Sequence, residues 1–447
     1  MTDPVDNKSN WQSIWGMCNT QDHKPMPCGR GQLTPIGEKQ LLDLGLCMKQ
    51  HYIGTHQLLP TDYTPTLYPN LIKSRSTDLF RTRISAARML EGLYEHLTPI
   101  DIMNLMEVRA HDDENLFPNH KKCMKLRQLY SNASKEYMKK YAPNTDPDRA
   151  ALAYVLETAY HRPFTQTATW IQVSDELRSR EIAGHALPPP VTAEDSLKAN
   201  SYAGVMMSYI IRGGHEHSGD EPVEQDFFDV DHGPVETEAL TLGMGQVVKE
   251  LSDNMKYAVN HHTTDPHMTR LYHYSGHDTT MIPLAESFGQ GYLFGRSWPP
   301  FGSHIILELL KKHDNQNNAP VTKKPASKSH ESAQQQLNER ADRQRLQDYH
   351  TAHDASELVS ACDSDDGAIA TDTIQQQHAR AAKQLENIGD DKDNYYVRVV
   401  INYGRVNKLI PYRTFQRQLA RYAIDEDEWT IRCKTSSNAQ VPKHFDW

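Results

Sequence analysis

Two short runs carry the side chains of this chain that are best suited to phosphate chemistry. The run Tyr274 to Thr280 (YSGHDTT) sets an imidazole beside a carboxyl group after a turn of small residues, and the run Arg75 to Thr82 (RSTDLFRT) offers guanidinium groups upstream. A guanidinium fork binds phosphate oxygens, and a carboxyl group kept neutral beside bound phosphate can protonate a leaving alkoxide. Arg75, His277 and Asp278 are therefore the predicted site residues, and neither run contains an obvious nucleophile.

Each of these residues also has an ordinary structural interpretation. Arg75 or Arg81 taken alone is most often a surface cation, His277 alone is more often a structural histidine, and Asp278 alone can be a helix cap. His304 is better explained as a core or strand-end histidine. What favours the functional interpretation is that both runs lie where a predicted strand passes into a predicted helix.

The elements around the first run are predicted from capping residues and hydrophobic spacing. Thr34 is a good N-cap and Pro35 suits the first helical position, so residues 34–52 are predicted to form a helix. Residues 70–74 read as a short strand, and apolar residues at helical spacing over 80–94 predict a second helix, which Ser76 and Thr77 could cap. Anions bind well at such a helix N-terminus, because its amide groups and dipole point outwards there.

The second run is predicted to have the same arrangement. A long helix continues to about Val259, residues 271–274 form a strand, and the turn at Gly276 leads into another helix. Further strands are predicted at 303–310 and 395–403, and a turn at Gly404 leads into a strand at 406–410. This mixture of strands and helices predicts an α/β fold.

The predicted organisation has a core that is interrupted twice. Residues 1–105, 263–312 and 394–447 are assigned to the α/β core, 106–262 to a mostly helical inserted domain, and 313–393 to a polar insertion. The last segment is rich in Gln and Asn and poor in aromatic residues, so it cannot bury enough apolar area to offset the entropy of ordering. It is predicted to be disordered and to be cut first in limited proteolysis.

Composition excludes several classes of protein. The 447 residues include 58 acidic and 48 basic ones, a formal charge of −10 that argues against broad nucleic-acid or membrane-surface affinity. No apolar run approaches the ~18 residues of a membrane-spanning helix, and the N-terminus lacks the features of a signal peptide. Six cysteines contain no CxxC pair, so a zinc cluster is not expected, while their even number permits disulfides. The compartment is unknown, since a segment upstream could carry a targeting signal.

These segments together resemble the histidine acid phosphatases, branch 2 of the histidine phosphatase superfamily. Cys28 to Gly37 (CGRGQLTPIG) resembles the segment before the family's first long helix, and the two runs above resemble its phosphate-contacting and distal signatures. Trp298 to His304 (WPPFGSH) is similar to the segment that leads into a late core strand. The stretch 58–94 most resembles the 2-phosphoxylose phosphatase subgroup.

The resemblance implies a three-layer α/β sandwich core with an inserted helical domain. It also implies hydrolysis of a small phosphomonoester through a phosphohistidine, without metal or another cofactor. In that reaction Arg75 would hold the phosphate, His277 would contact it, and Asp278 would donate the proton.

One part of the family pattern is absent from this sequence. The family's nucleophile lies in an Arg-His-Gly-x-Arg signature on the first core strand, and nothing before Gln32 matches it. His23 is the only histidine upstream, and it lacks the flanking arginines and a preceding apolar strand. The nucleophile is therefore unknown, and the first core strand is expected to be missing.

Two interpretations remain open, and whether the chain is an enzyme stays uncertain. The chain is either an acid phosphatase whose sequence here is incomplete at the N-terminus, which we favour, or a non-catalytic protein that binds a phospho-ligand. Under both interpretations the chain is expected to have little or no phosphatase activity as it stands.

Overall fold

A computed structural model describes residues 32–141, 146–161, 164, 169–215, 234–265, 267–289, 298–312, 394–402 and 406–434. For residues 234–236 and 406–408 it describes the backbone but not the side chains. The predicted polar insertion at 313–393 lies outside these residues, and so does His23. The chain divides into two compact units: a larger one of Met1–Gly302 with Gln418–Trp447, and a smaller one of Ser303–Arg417.

Among the described residues, strands and helices are mixed on either side of a helical middle. In chain order they are α1 (Pro35–Met48), which runs on into a π-helical segment (Lys49–Thr55), β1 (Ile72–Ser76), α2 (Phe80–Leu93), α3 (Pro99–Leu105), β2 (Met106–Val108), α4 (Met124–Lys140), α5 (Pro147–Tyr160), α6 (Trp170–Ile182), α7 (Ala193–Ile211), α8 (Pro234–His261), β3 (Leu271–Ser275), α9 (Asp278–Ser287), β4 (Ile305–Lys311), β5 (Tyr395–Ile401), β6 (Val406–Pro411), α10 (Tyr412–Ala420) and α11 (Glu426–Cys433).

The sheet of the larger unit consists of parallel strands in the order β2-β1-β3. Parallel neighbours need long crossover connections, and here α2 and α3 join β1 to β2 while the helical middle of the chain precedes β3. The register pairs Arg75 with Tyr274 and Ser76 with Ser275. Both strands were predicted from the sequence, and their carboxyl ends therefore meet at one edge. The short β2 was not predicted, since three residues carry too little periodicity to detect.

The first two helices pack closely through a pair of glycines. α1 begins as predicted, with the Thr34 hydroxyl accepting from the Gly37 amide at 3.1 Å and Pro35 in the first turn. A side chain at Gly45 would collide with the Met89 carbonyl, and one at Gly92 with the Leu42 carbonyl. The backbones of α1 and α2 can approach this closely only because neither residue carries a Cβ.

The described residues between β2 and β3 are mainly helical, as predicted. Two of these helices, α6 and α7, begin with capping boxes, built by Thr169 with Gln172 and by Thr192 with Asp195. A disulfide joins Cys123, just before α4, to the last residue of α11. Among the described residues, no helix is both long enough and apolar enough to cross a membrane.

The smaller unit contains an antiparallel sheet in the order β4-β5-β6. β5 and β6 form the predicted hairpin, and β4 pairs along the whole of β5. Glu308 and Arg398 face each other across this pair, with a carboxylate oxygen 2.6 Å from the guanidinium Nε. The parallel sheet of one unit and the mixture of helices and strands throughout confirm the predicted α/β class.

Candidate active site

The ends of β1 and β3 are fastened to the first turn of α2. The amide of Thr77 donates to the carbonyl of Ser275 at 3.2 Å, and the hydroxyl of Ser275 donates to the carbonyl of Thr82 at 2.8 Å. These bonds extend the pairing of β1 with β3 beyond the sheet. They hold the start of α2 beside the turn that carries His277.

The start of α9 places His277 and Asp278 at this edge of the sheet. His277 is the N-cap residue of α9, and its amide donates to the Thr280 hydroxyl at 2.9 Å. A Cβ at Gly276 would come within 2.5 Å of that hydroxyl oxygen, so the turn requires glycine there. The Thr280 hydroxyl in turn donates to the Leu116 carbonyl, which ties the turn to the loop before α4.

The imidazole of His277 lies between a hydroxyl chain and a guanidinium group. Its Nε2 is 3.0 Å from the Thr77 hydroxyl and its Nδ1 is 3.4 Å from Arg81. Because arginine can only donate, Nδ1 accepts, and in the neutral ring Nε2 carries the proton. The hydrogen bonds then run in one direction: Nε2–H donates to the Thr77 hydroxyl, that hydroxyl donates to the Thr82 hydroxyl at 2.7 Å, and the Thr82 hydroxyl donates to the Leu79 carbonyl at 2.8 Å.

His277 remains neutral over most of the acidic range. Burial, with a smaller contribution from the charge of Arg81, lowers the pKa of His277 from 6.5 to about 3. The ring of Phe117 stands edge-on to the imidazole, with the centroids 6.0 Å apart. Because protein atoms take the place of water around the ring, protonation of the imidazole costs free energy.

Asp278 has the opposite shift, which favours its neutral form. Its Oδ1 accepts from the Thr279 amide at 2.7 Å and its Oδ2 from the Trp298 indole at 2.7 Å. Burial raises the pKa of Asp278, these two hydrogen bonds oppose that rise, and the charge of Asp175 adds to it. A carboxyl group whose pKa is raised can keep its proton in mild acid and act as a general acid.

The structure turns Arg75 into the larger unit instead of towards His277. The Arg75 side chain is 4% exposed, and its two terminal nitrogens donate to Glu250 at 3.1 Å and to Asn115 at 2.9 Å. Glu250 also accepts from the Tyr274 hydroxyl at 2.8 Å. The fork that the sequence assigned to phosphate is therefore occupied by protein groups, and that assignment stays a prediction.

Arg81 is the arginine of the same run that reaches His277. It lies on the first turn of α2, is exposed, and forms no ion pair with any residue that the structure describes. Arg83, two residues further along, is paired with Asp78 at 3.3 Å. An exposed guanidinium without a carboxylate partner is available to an anion.

Three residues around His277 and Asp278 were not identified from the sequence. Thr77 was interpreted as a possible helix cap, whereas α2 begins at Phe80 and its N-cap is Leu79, which has no side-chain oxygen. Trp298 stands in a segment whose family resemblance was the only signal. Asp175 on α6 gave no signal, because it is far away in sequence and stands among other charged residues.

Comparison with known proteins identifies the family of this chain. A family model for the histidine phosphatase superfamily (branch 2) matches residues 4–323. Human lysophosphatidic acid phosphatase type 6 is 24% identical over 282 residues, which cover 63% of this chain and 57% of that protein. Counting factor 60 of Dictyostelium discoideum is 26% identical over 297 residues, covering 65% and 62%. A probable acid phosphatase of Schizosaccharomyces pombe is 25% identical over 307 residues, covering 67% and 60%.

The chain thus spans roughly three fifths of the length of the curated relatives that it matches. Among solved structures, the apo form of the Hafnia alvei phytase aligns with a TM-score of 0.48 and 10% identity, over 97% of this chain and 94% of that one. The family model covers well over half of the chain. The chain belongs to branch 2 of the histidine phosphatase superfamily.

Proposed function

We propose that this chain carries the phosphate-binding and proton-donating part of an acid phosphatase site for small phosphomonoesters. The observation that carries the proposal is the convergence of Arg81, His277 and Asp278 on the start of α9. The three groups are a guanidinium that forms no ion pair with a described residue, a neutral imidazole and a carboxyl group with a raised pKa. This combination suits an anion that must be held and then protonated on one oxygen.

The proposal gives the phosphate to Arg81 in place of Arg75. Arg81 donates from its fork to two phosphate oxygens, the bidentate geometry for which arginine is suited. A bound phosphate brings negative charge to His277, which raises its pKa and favours protonation of Nδ1. The imidazolium then donates from Nδ1 to a phosphate oxygen, while Nε2 keeps its bond to Thr77.

Asp278 acts as the general acid in this proposal. Cleavage requires a phosphoryl acceptor, which no described residue is assigned to be. As that acceptor bonds to phosphorus and the bond to the ester oxygen breaks, the proton of the Asp278 carboxyl passes to that oxygen, so the leaving group departs as an alcohol. Asp278 is left as a carboxylate, which the hydrogen bonds from Thr279 and Trp298 stabilise. The family resemblance implies a histidine that accepts the phosphoryl group, and no described residue is assigned that role.

A second candidate function is phospho-ligand binding without turnover. It is favoured by one observation, the lack of an Arg-His-Gly segment in this sequence. General-acid assistance accelerates a reaction about 10²–10⁴-fold, whereas loss of the nucleophile in another covalent enzyme lowers its turnover rate about 10⁶-fold. We therefore expect the 447-residue chain to bind phosphate and to turn over an aryl phosphate slowly or not at all.

The binding experiment separates the two arginines. Inorganic phosphate and orthovanadate are titrated into the wild-type chain, Arg81→Ala and Arg75→Ala, with Arg83→Ala as the matched control on the same helix. We expect Arg81→Ala to weaken binding by about tenfold or more, because a charge-assisted bidentate contact is lost. Arg83→Ala should bind normally. Arg75→Ala should mainly lower the unfolding midpoint, since it strips Glu250 of its partner.

One outcome would contradict the assignment of the phosphate to Arg81, and another would contradict the expected lack of turnover. A loss of affinity confined to Arg75→Ala would return the phosphate to Arg75, as the sequence alone predicted. The second test assays an aryl phosphate at acidic pH with the wild-type chain, His277→Ala and Asp278→Ala. Robust turnover that disappears in both variants would show that another residue serves as the nucleophile.

A further inference from the structure

Two buried hydroxyl groups connect the imidazole of His277 to the backbone at the start of α2. The Thr77 hydroxyl lies 3.0 Å from Nε2 of His277 and 2.7 Å from the Thr82 hydroxyl. Thr77 is 0% exposed and Thr82 is 3% exposed, so bulk water does not reach these two hydroxyls. Their hydrogen-bond partners lie within the fold, and the fold therefore decides which group donates in each bond.

The direction of the bonds is set at the end of the series that lies furthest from His277. The Thr82 hydroxyl is 2.8 Å from the Leu79 carbonyl and 3.2 Å from the Thr77 carbonyl, and a carbonyl oxygen can only accept. Thr82 therefore uses its one hydroxyl proton there, and its oxygen accepts a hydrogen bond from the Thr77 hydroxyl. The oxygen of Thr77 is then left to accept from Nε2–H of His277.

The contact with Arg81 favours the same tautomer but is too weak to impose it. The guanidinium nitrogen stands 3.4 Å from Nδ1 of His277, beyond the range of about 2.7–3.2 Å that is usual for N–H donors. Arg81 is also exposed, so its side chain can turn to water without loss of hydrogen bonding. The three bonds of the hydroxyl series are each 3.0 Å or shorter. The hydroxyl series is thus the stronger influence on the ring.

We propose that Thr82 is a positioning residue, which fixes the tautomer of His277 through the hydroxyl of Thr77. The consequence is that Nδ1, the ring nitrogen on the side of Arg81, stays bare in the ligand-free chain. The part of this role in the reaction rests on the proposed function, in which Nδ1 takes up a proton when the phosphate arrives. A neutral ring with its proton on Nδ1 would instead point an N–H group at the N–H donors of Arg81.

Removal of the Thr82 hydroxyl should reverse the series. In Thr82→Val the side chain keeps nearly the same volume, but the Thr77 hydroxyl loses the oxygen to which it donates. Of the contacts described for that hydroxyl, only Nε2 of His277 then remains. Thr77 should rotate to donate to Nε2, and the ring proton should move to Nδ1. A purely structural Thr82 would change the stability of the chain without moving this proton.

The test observes both ring nitrogens by NMR of the chain labelled with ¹⁵N-histidine. A bare ring nitrogen and one that carries a proton have well separated ¹⁵N chemical shifts, and the signals of His277 are those that disappear in His277→Gln. Spectra are recorded without ligand at neutral pH, where the ring is uncharged because its pKa is about 3. The chains compared are wild type, Thr82→Val, Thr82→Ser, which keeps the hydroxyl, and Arg81→Ala, which removes the competing influence.

We expect wild type, Thr82→Ser and Arg81→Ala to carry the proton on Nε2 and to leave Nδ1 bare. In Thr82→Val the two shifts should converge or exchange places as Nδ1 gains the proton. A wild-type pattern in Thr82→Val overturns the inference. A proton on Nδ1 in Arg81→Ala also overturns it, since the guanidinium would then set the tautomer. Circular dichroism checks the fold, and Thr82→Ala replaces Thr82→Val if that variant is unfolded.

A second measurement separates this inference from the proposed function. Inorganic phosphate is titrated into the labelled wild-type chain at mildly acidic pH. Protonation of Nδ1 while Nε2 keeps its proton supports the role of His277 in holding the phosphate. If Nδ1 stays bare at saturating phosphate, the proposed role of His277 is overturned, and with it the part of Thr82 in the reaction. The ligand-free spectra still decide whether Thr82 fixes the tautomer.

Discussion

Arg75 and Arg81 show how strongly local structure decides the use of a side chain. Arg75 lies within β1, the central strand of its sheet, and its side chain is 4% exposed, so its guanidinium needs internal partners and finds them in Glu250 and Asn115. Arg81 lies on the first turn of α2, where the helix surface meets solvent. Since a buried charge must be paired, Arg81 is the one of these two arginines that can offer its fork to a ligand without breaking an ion pair.

The depressed pKa of His277 predicts a specific dependence of stability on pH. The folded-state value of about 3 is below the ordinary 6.5, so the native state resists protonation of this ring. The contribution to stability is complete above pH 6.5 and is lost as the pH falls towards 3. Relative to His277→Gln, the wild-type chain should lose about 2–4 kcal/mol of unfolding free energy over that window.

Two measurements check this prediction. Chemical denaturation at a series of pH values compares the wild-type chain with His277→Gln, and NMR follows the imidazole resonances directly. An imidazole that titrates near 6.5 in the folded chain would contradict the buried environment. In Arg81→Ala the pKa should rise only part of the way, because burial is the larger cause and Arg81 the smaller one.

At the scale of elements, the site depends on how α1 and α2 are held against the sheet. α2 brings Thr82 and Arg81 to the ends of β1 and β3, and it packs against α1 at the contact between Gly45 and Gly92. A helix can be set this close to its neighbour only where small residues face each other. The position of Arg81 relative to His277 therefore depends on a contact that lies away from the site.

We predict that Gly92→Ala destabilises the chain despite the better helix propensity of alanine. In an open helical position this replacement gains up to about 1 kcal/mol. At Gly92 the new Cβ would strike the Leu42 carbonyl and crowd Leu46, so overpacking should cost about 2–3 kcal/mol. Thermal and denaturant unfolding measure the difference.

Gly54 offers the matched control for this change. It lies in the π-helical segment that follows α1, and a Cβ there has no heavy atom within 4 Å. Gly54→Ala should be neutral or slightly stabilising. Equal behaviour of the two alanine variants would mean that α1 and α2 are not packed as closely as described.

At the scale of the whole molecule, the end of the described chain stabilises the helical middle. α11 lies against α8, where the Trp429 indole donates to the Leu242 carbonyl at 2.8 Å. The disulfide between Cys123 and Cys433 joins α11 to the start of α4, across a sequence separation of 310 residues. A cross-link over so long a loop removes much conformational freedom from the unfolded chain.

We predict that loss of this disulfide lowers the stability of the larger unit substantially. The double variant Cys123→Ala/Cys433→Ala should unfold with roughly 3–5 kcal/mol less free energy than the oxidised wild-type chain, since chain entropy grows with the closed loop. Denaturant unfolding with and without a reductant provides the control. Reductant should lower the unfolding free energy of the wild-type chain towards that of the double variant. If reductant leaves this free energy unchanged, the disulfide is not present.

The local features of this protein could be predicted from the sequence because local physics produces them. The spacing and type of neighbouring residues predict each of these features: the cap at Thr34, the apolar faces of α2 and α8, the strands β3 and β4, and the β5–β6 hairpin. The family followed from motifs of the same short range, and its model match confirms it. The domain boundaries and the 2-phosphoxylose phosphatase subgroup stay predictions.

Only the tertiary structure decided which distant groups meet. Parallel pairing of β1 with β3 sets Thr77 against His277 across 200 residues. No local pattern separates Arg75 from Arg81 as the partner of His277, because both are arginines of one run. Burial and the fixed directions of strand and helix make that choice, and they arise from packing of the whole chain.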